Sequence, residues 1–202
     1  MKLLLATTST HKAREIAELL RDIADLELET LNDYPATEAP DEDADSMEGN
    51  AQIKAEFYAQ HFGARVLADD SGLEVDALNG EPGVHSARWF EGEYEERNAA
   101  LLARLAEVPI EHRGARYRCA LCLATPDAIE WQGEGVCEGE IALAPRGNGG
   151  FGYDPIFGLT LASGVESEFI GQTMGEVAPQ VKASVSHRAR AVRLLAEHLK
   201  AR

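Results

Sequence analysis

The segment Val66-Leu67-Ala68-Asp69-Asp70-Ser71-Gly72 sets the tightest condition on any fold this chain can adopt. Val66 to Ala68 reads as a short apolar strand that runs straight into two adjacent carboxylates, and Ser71-Gly72 then supplies a turn. Neighbouring residues on a strand point to opposite faces. If strand geometry persists to its end, Asp69 and Asp70 cannot both face one cleft. One is then free for chemistry, and the other must be satisfied by backbone or a partner. A carboxylate at the carboxyl end of a buried strand is also where open α/β sheets place ligands. Taken alone, the segment reads more plainly as a polar turn that contains two aspartates, so the weight falls on the rest of the chain.

With 202 residues, 45% of them hydrophobic, the chain is globular and long enough for a well-buried core, read here as one domain over residues 1–202. No apolar run is long enough to cross a bilayer. Met1-Lys2-Leu3-Leu4-Leu5-Ala6 resembles the start of a signal peptide, but polar Thr7 to Lys12 end the run, so it reads as a first strand and the expected location is the cytoplasm. A net charge of −16 argues against nucleic acid or an anionic membrane as partner. A small anionic ligand remains compatible if local cations or a metal ion neutralise it. Cys119 and Cys122 have C-x-x-C spacing, but an odd separation on a strand sends the two sulfurs to opposite faces, and Cys137 adds no second pair. All three are expected to be buried structural thiols.

Lys2 to Ala6 is a strand, Thr7-Thr8-Ser9-Thr10-His11-Lys12 a hydroxyl-rich turn, and Ala13, Ile16, Ala17, Leu20 and Ile23 fall at helical spacing. Strand, turn and helix start form a phosphate-binding arrangement, since free N–H groups and the positive dipole end converge. Ser9 or Thr10 can cap this helix. Lys12 in its first turn opposes the dipole, a conflict that a bound anion would relieve. Leu26 to Leu31 reads as a second strand, and the acidic, proline-containing Asp33 to Asp45 as a loop whose carboxylates are solvated or supply a metal ligand. Asp45 and Glu48 look like a capping box. On the helix that follows, Asn50 and Lys54 share a face that ordinarily would be surface.

Ser71 to Ser86 reads as a glycine-rich loop, Glu93 to Val108 as an amphipathic helix, and Tyr117 to Thr125, Ile129 to Cys137 and Glu140 to Ala144 as strands. Gly147 to Tyr153 then holds four glycines and two aromatics in seven residues, a loop that can either stack a ring on a flat base or plug the core. Lys182 to Arg188 opens the last helix, with Ser184 or Ser186 as cap, and so sets Lys182, His187 and Arg188 at the unfavourable end of its dipole.

Thr7-Thr8-Ser9-Thr10-His11-Lys12, Ala68-Asp69-Asp70-Ser71-Gly72-Leu73, Gly150-Phe151-Gly152-Tyr153-Asp154-Pro155-Ile156-Phe157 and Ser186-His187-Arg188, with Glu48-Gly49-Asn50-Ala51 and Pro82-Gly83, run through nearly the whole chain in order. Together they resemble the non-canonical purine nucleoside triphosphate pyrophosphatases, also called inosine/xanthosine triphosphate pyrophosphatases. The resemblance implies an α/β fold with a long mixed β-sheet flanked by helices, in two lobes with a central cleft. It implies a magnesium-dependent homodimer that hydrolyses inosine, deoxyinosine and xanthosine triphosphates to the monophosphate and pyrophosphate. By motif position, Asp70 is the proton acceptor and a metal ligand, and Lys12 joins it in catalysis. Thr7, Thr8, Ser9, Thr10, His11, Lys12, Ser71, Phe151, Gly152, Tyr153, Asp154, Lys182, His187 and Arg188 contact substrate. Ser9 stands where the family usually has Asn, and Asp41-Glu42-Asp43-Ala44 replaces the usual E-E-T-G. Glu42 is the expected second metal ligand, ahead of Asp41. Three rivals remain: the related Maf-like pyrophosphatases, whose S-x-S-P-R-R opening this chain lacks; a nucleotide sensor without turnover; and a phosphatase releasing orthophosphate.

Overall fold

The computed structural model describes residues 1–201. Its six strands form one mixed sheet in the order β2-β1-β3-β4-β5-β6. These are β1 (Lys2–Leu5), β2 (Glu27–Thr30), β3 (Val66–Val75), β4 (Gly114–Ala124), β5 (Ile129–Ile141) and β6 (Phe157–Gly158). β1 runs parallel to both β2 and β3, with Leu4 opposite Glu29 and Val66, whereas β5 and β6 are antiparallel. The helices are α1 (Thr10–Leu20), α2 (Met47–Phe62), α3 (Tyr94–Arg104), α4 (Pro179–Val185) and α5 (His187–Lys200). This is the α/β class with a mixed sheet that the sequence leads one to expect. Among the described residues no helix is long and apolar enough to cross a membrane.

The chain divides into two compact units. Unit 1 comprises Met1–Ser71, Cys119–Gly135 and Arg188–Arg202; unit 2 comprises Gly72–Arg118 and Val136–His187. In unit 1, Leu3, Leu5, Leu67, Cys119, Leu121 and Leu123 of the sheet pack with Ile16 and Leu20 of α1 and Val192, Leu195 and Leu199 of α5. These sheet residues are odd-numbered because alternate positions share a face. In unit 2, Leu73, Val75, Ala115, Tyr117, Cys137 and Phe157 pack with Leu101 of α3, Leu105 just after it, and Val185 of α4.

Several local expectations need correction. β3 does not stop at Asp70: Ser71 and Gly72 continue the strand to Val75, so no turn follows the carboxylates. The buried alternation of Leu73 and Val75 outweighs the Ser-Gly signal. The segment expected to be loop therefore begins only at the short 3₁₀ turn Asp76–Leu78. The Glu140 strand is the end of β5, not a separate element. Ser46, not Asp45, caps α2, its hydroxyl accepting from Gly49 N. Lys182 lies in the last turn of α4, not at the start of the final helix. Ser186 breaks the two apart with an extended ψ of 153°, so Lys182 sits at the favourable end of its own helix.

Candidate active site

The charged core of unit 1 follows from the alternation of β3. Asp69 and Ser71 share the face of Leu67, where α1 and α5 pack, and Asp70 lies on the opposite face, where α2 packs. On the first face, Lys12 Nζ is 2.8 Å from Asp69 Oδ2, and Arg188 Nη2 is 3.4 Å from the same oxygen. Arg188 also donates to Ser71 Oγ at 2.9 Å and to Glu15 Oε2 at 2.6 Å. Arg188 is 1% exposed and is the largest fully buried side chain of the described residues. Burial opposes the charge on Asp69, but Lys12 and Arg188 more than offset it and hold the carboxyl well below the usual range. The Arg188 guanidinium is likewise held charged by Asp69 and Glu15 against its burial. Asp69 is thus the anion that relieves the cations at the starts of α1 and α5.

On the second face, Lys54 Nζ is 3.3 Å from Asp70 Oδ1 and 2.9 Å from Glu42 Oε2. Asn50 Nδ2 donates to Asp70 Oδ2 at 3.4 Å and its Oδ1 accepts from Ala44 N at 3.0 Å, tying the acidic loop to α2. Asn50 and Lys54 are therefore buried, not ordinary surface. They complete a helical stripe with Met47, Ala51, Ala55 and Tyr58, and that stripe is the signal by which the sequence could have revealed them. Here burial prevails: it raises the carboxyl of Asp70 above its ordinary value despite the opposing pull of Lys54 and Lys12. Two neighbours on one strand therefore titrate in opposite directions. Asp69 has fixed partners in two cations, whereas Asp70 is held with its carboxyl raised by burial.

In the Thr7 to Lys12 turn, Ser9 is the helix cap, accepting from Lys12 N at 3.4 Å, and Thr7 Oγ1 accepts from Ser9 N at 3.1 Å. Thr8, Thr10 and His11 are exposed. The Ser9 hydroxyl is thus used within the turn.

Unit 2 holds the remaining expected residues. Asp154 Oδ2 accepts from Phe151 N at 2.8 Å and from Lys182 Nζ at 2.6 Å, and Lys182 Nζ lies 4.7 Å over the Phe151 ring. Gly150 has φ +72°, and a Cβ there would strike Asp154 Oδ2, so only glycine fits this corner. The Tyr153 hydroxyl donates to Ser86 O at 3.0 Å, and burial pushes it up to about 12. The His187 ring stacks on Tyr117 at 4.6 Å and 11°. Tyr153 is thus a core plug, as one of the two sequence readings has it, while Phe151 is half-buried with Lys182 over its ring. The three cysteines are buried thiols outside any disulfide, and burial pushes Cys119 up to about 12 and Cys122 to about 11, which suits inert thiols.

Comparison places this geometry among known proteins. The fold matches a solved HAM1 protein from Coxiella burnetii with a TM-score of 0.86 and 34% identity, covering 100% of both chains. It also matches a nucleoside-triphosphatase, named dITP/XTP pyrophosphatase, from Mycobacterium abscessus, with a TM-score of 0.75 and 42% identity over 96% of this chain and 98% of that one. Such a chain is an α/β protein of nucleotide-processing type. More particularly, the model of the Ham1 family matches residues 3–198, and the chain belongs to that family. Curated relatives named dITP/XTP pyrophosphatase include one from Symbiobacterium thermophilum, 45% identical over 99% of this chain and 95% of its own length, and one from Geobacillus kaustophilus, 44% identical over 97% and 93%.

Proposed function

We propose that this chain hydrolyses inosine, deoxyinosine and xanthosine triphosphates to the monophosphate and pyrophosphate, as a magnesium-dependent cytoplasmic homodimer that clears these nucleotides from the pool. The observation that carries this reading is the division of Asp69 and Asp70 between the two faces of β3, one paired with Lys12 and Arg188 and the other set with Glu42 around the Lys54 ammonium. The names of the relatives support the same substrate class.

Asp70 and Glu42 offer hard oxygens that converge on one point, now met by the Lys54 ammonium. Two carboxylates completed by water and phosphate oxygens suit magnesium, so these residues would hold it. Bound there, the ion would supply positive charge to the triphosphate and lower the barrier to attack on phosphorus. Asp70 takes a proton from the attacking water as its oxygen bonds to the α-phosphorus. The bond from the α-phosphorus to its bridging oxygen then breaks, and pyrophosphate leaves with the electron pair. Lys54 and Lys12 counter the charge that develops on phosphate. Thr7, Thr8, Thr10, His11 and Ser71 contact the substrate around that centre, and Ser9 contributes through the turn it caps.

Base selection is assigned to Lys182, His187, Arg188 and the Phe151-Gly152-Tyr153-Asp154 loop. Hypoxanthine and xanthine carry a carbonyl at position six, an acceptor for protein donors. Adenine carries an amino group there, which leaves a donor unpaired at roughly 1–3 kcal/mol. The test is product analysis with inosine, xanthosine, guanosine and adenosine triphosphates, with and without magnesium. Pyrophosphate from the first two, and only with the metal, is the expected result. Orthophosphate would make the chain a phosphatase, binding without product a sensor, and a preference for pyrimidine nucleotides in a wider panel would favour the Maf-like reading.

A further inference from the structure

Asn98 lies on α3, 3% exposed, in a stripe with Leu101 and Leu105 where an apolar residue would be the simpler occupant. Its Nδ2 donates to Gly152 O at 3.1 Å, while its Oδ1 is buried with no hydrogen-bond partner among the described residues. An orphaned buried acceptor is a cost that packing alone does not explain. What the side chain gains in return is a single bond, and that bond holds the carbonyl between Phe151 and Tyr153. Gly152 itself has φ +64° with open space where a Cβ would be, so no side chain of its own restrains it.

The same helix also reaches a carbonyl that the loop uses. Arg97 Nη1 donates to Ser86 O at 3.4 Å, the carbonyl that also accepts from the Tyr153 hydroxyl. Besides its backbone bonds, the loop is held by three hydrogen bonds that involve a side chain: Asp154 accepts from the Phe151 amide, the Tyr153 hydroxyl donates to Ser86 O, and Asn98 donates to the Gly152 carbonyl between them. Of these, only the Asn98 bond holds the Gly152–Tyr153 peptide plane, at a residue without a side chain; the Phe151–Gly152 plane before it is held by Asp154 N donating to Phe151 O at 3.3 Å.

We propose that Asn98 is a positioning residue for base recognition: by holding the Gly152 carbonyl it sets the plane of the Phe151 ring. This rests on the reading that Phe151 packs against the base. Asn98 itself touches neither substrate nor reacting atoms. Its loss therefore raises KM and narrows the preference for inosine over adenosine triphosphate, and leaves kcat for inosine triphosphate near normal.

The test pairs kinetics with amide hydrogen exchange in Asn98→Ala and in Asn98→Leu. The leucine variant retains the volume and removes the orphaned acceptor, which protects the fold where alanine leaves a cavity. Expected are faster exchange in the segment 150–153 with α3 unchanged, and a KM for inosine triphosphate raised about fivefold, the scale of one hydrogen bond. In a Phe151→Ala background the further rise in KM should vanish, because both changes act through one ring. Unchanged exchange in the loop, or a full additive effect in that background, overturns the assignment to Asn98. Faster exchange with normal KM, while Phe151→Ala alone raises KM, overturns it as well. If Phe151→Ala itself leaves KM unchanged, the failure lies with the reading of Phe151, and the assignment to Asn98 falls with it.

Discussion

Asp70→Asn is expected to abolish turnover of inosine triphosphate, by at least about 10²–10⁴-fold, the range for removing a general base, without lowering the melting temperature. The second half of that expectation comes from the direction of its titration. Burial raises the Asp70 carboxyl in the folded chain, with Lys54 and Lys12 opposing. A group raised in this way favours folding when protonated: its contribution is whole below the unfolded value and fades as pH rises through the folded one. At neutral pH the ionised carboxylate is therefore a burden on stability, accepted for function. The amide removes that burden, keeps the shape and still accepts from Lys54 through its one oxygen, while Lys54 retains Glu42; the Asn50 bond alone is lost, and the burden removed offsets it. Rate measurement with a thermal melt checks both parts. Near-normal turnover would remove Asp70 from its role, and a large fall in melting temperature would show that its buried charge is structural.

Asp69→Asn should do the reverse. Asp69 is the shared anion of Lys12 and Arg188, and its removal leaves a guanidinium that is 1% exposed with Glu15 as its remaining carboxylate. Breaking a buried pair from one side costs about 3–5 kcal/mol, or roughly 6–20 °C in melting temperature for a chain of this size. The pH dependence has the opposite sign to that of Asp70. Burial is outweighed by Lys12 and Arg188, so the carboxyl is depressed in the folded state. Its contribution is whole above the unfolded value of about 4 and is lost as pH falls through the lower folded one. Melting curves of parent and variant should therefore converge in strong acid and diverge above it. A variant as stable as the parent at neutral pH would show that Lys12 and Arg188 do not depend on Asp69.

That the two adjacent aspartates meet different partners was legible in the sequence, because strand alternation alone separates them. So were the cap at Ser9, the inert cysteines and the glycine-aromatic loop around Phe151, each of which depends on local geometry or burial pattern. Lys54 and Asn50 were harder, because a polar pair four apart on a helix is usually solvated. Only the position of α2 against the even face of β3 shows that their stripe is the buried one. Asn98 was hidden for the same reason. The helix break at Ser186 was missed because Lys182 and His187 both fit a helical pattern, and the break is a matter of one residue's backbone. The extension of β3 past Gly72 depended on Leu73 and Val75 finding a core, which is information from distant sequence.

The central claim is that water, deprotonated by Asp70, attacks the α-phosphorus. Hydrolysis of inosine triphosphate in heavy-oxygen water, with the products separated and weighed by mass spectrometry, tests it most directly. One heavy oxygen in the inosine monophosphate and none in the pyrophosphate is the predicted result. Label in the pyrophosphate would mean attack on the neighbouring phosphorus and would contradict it.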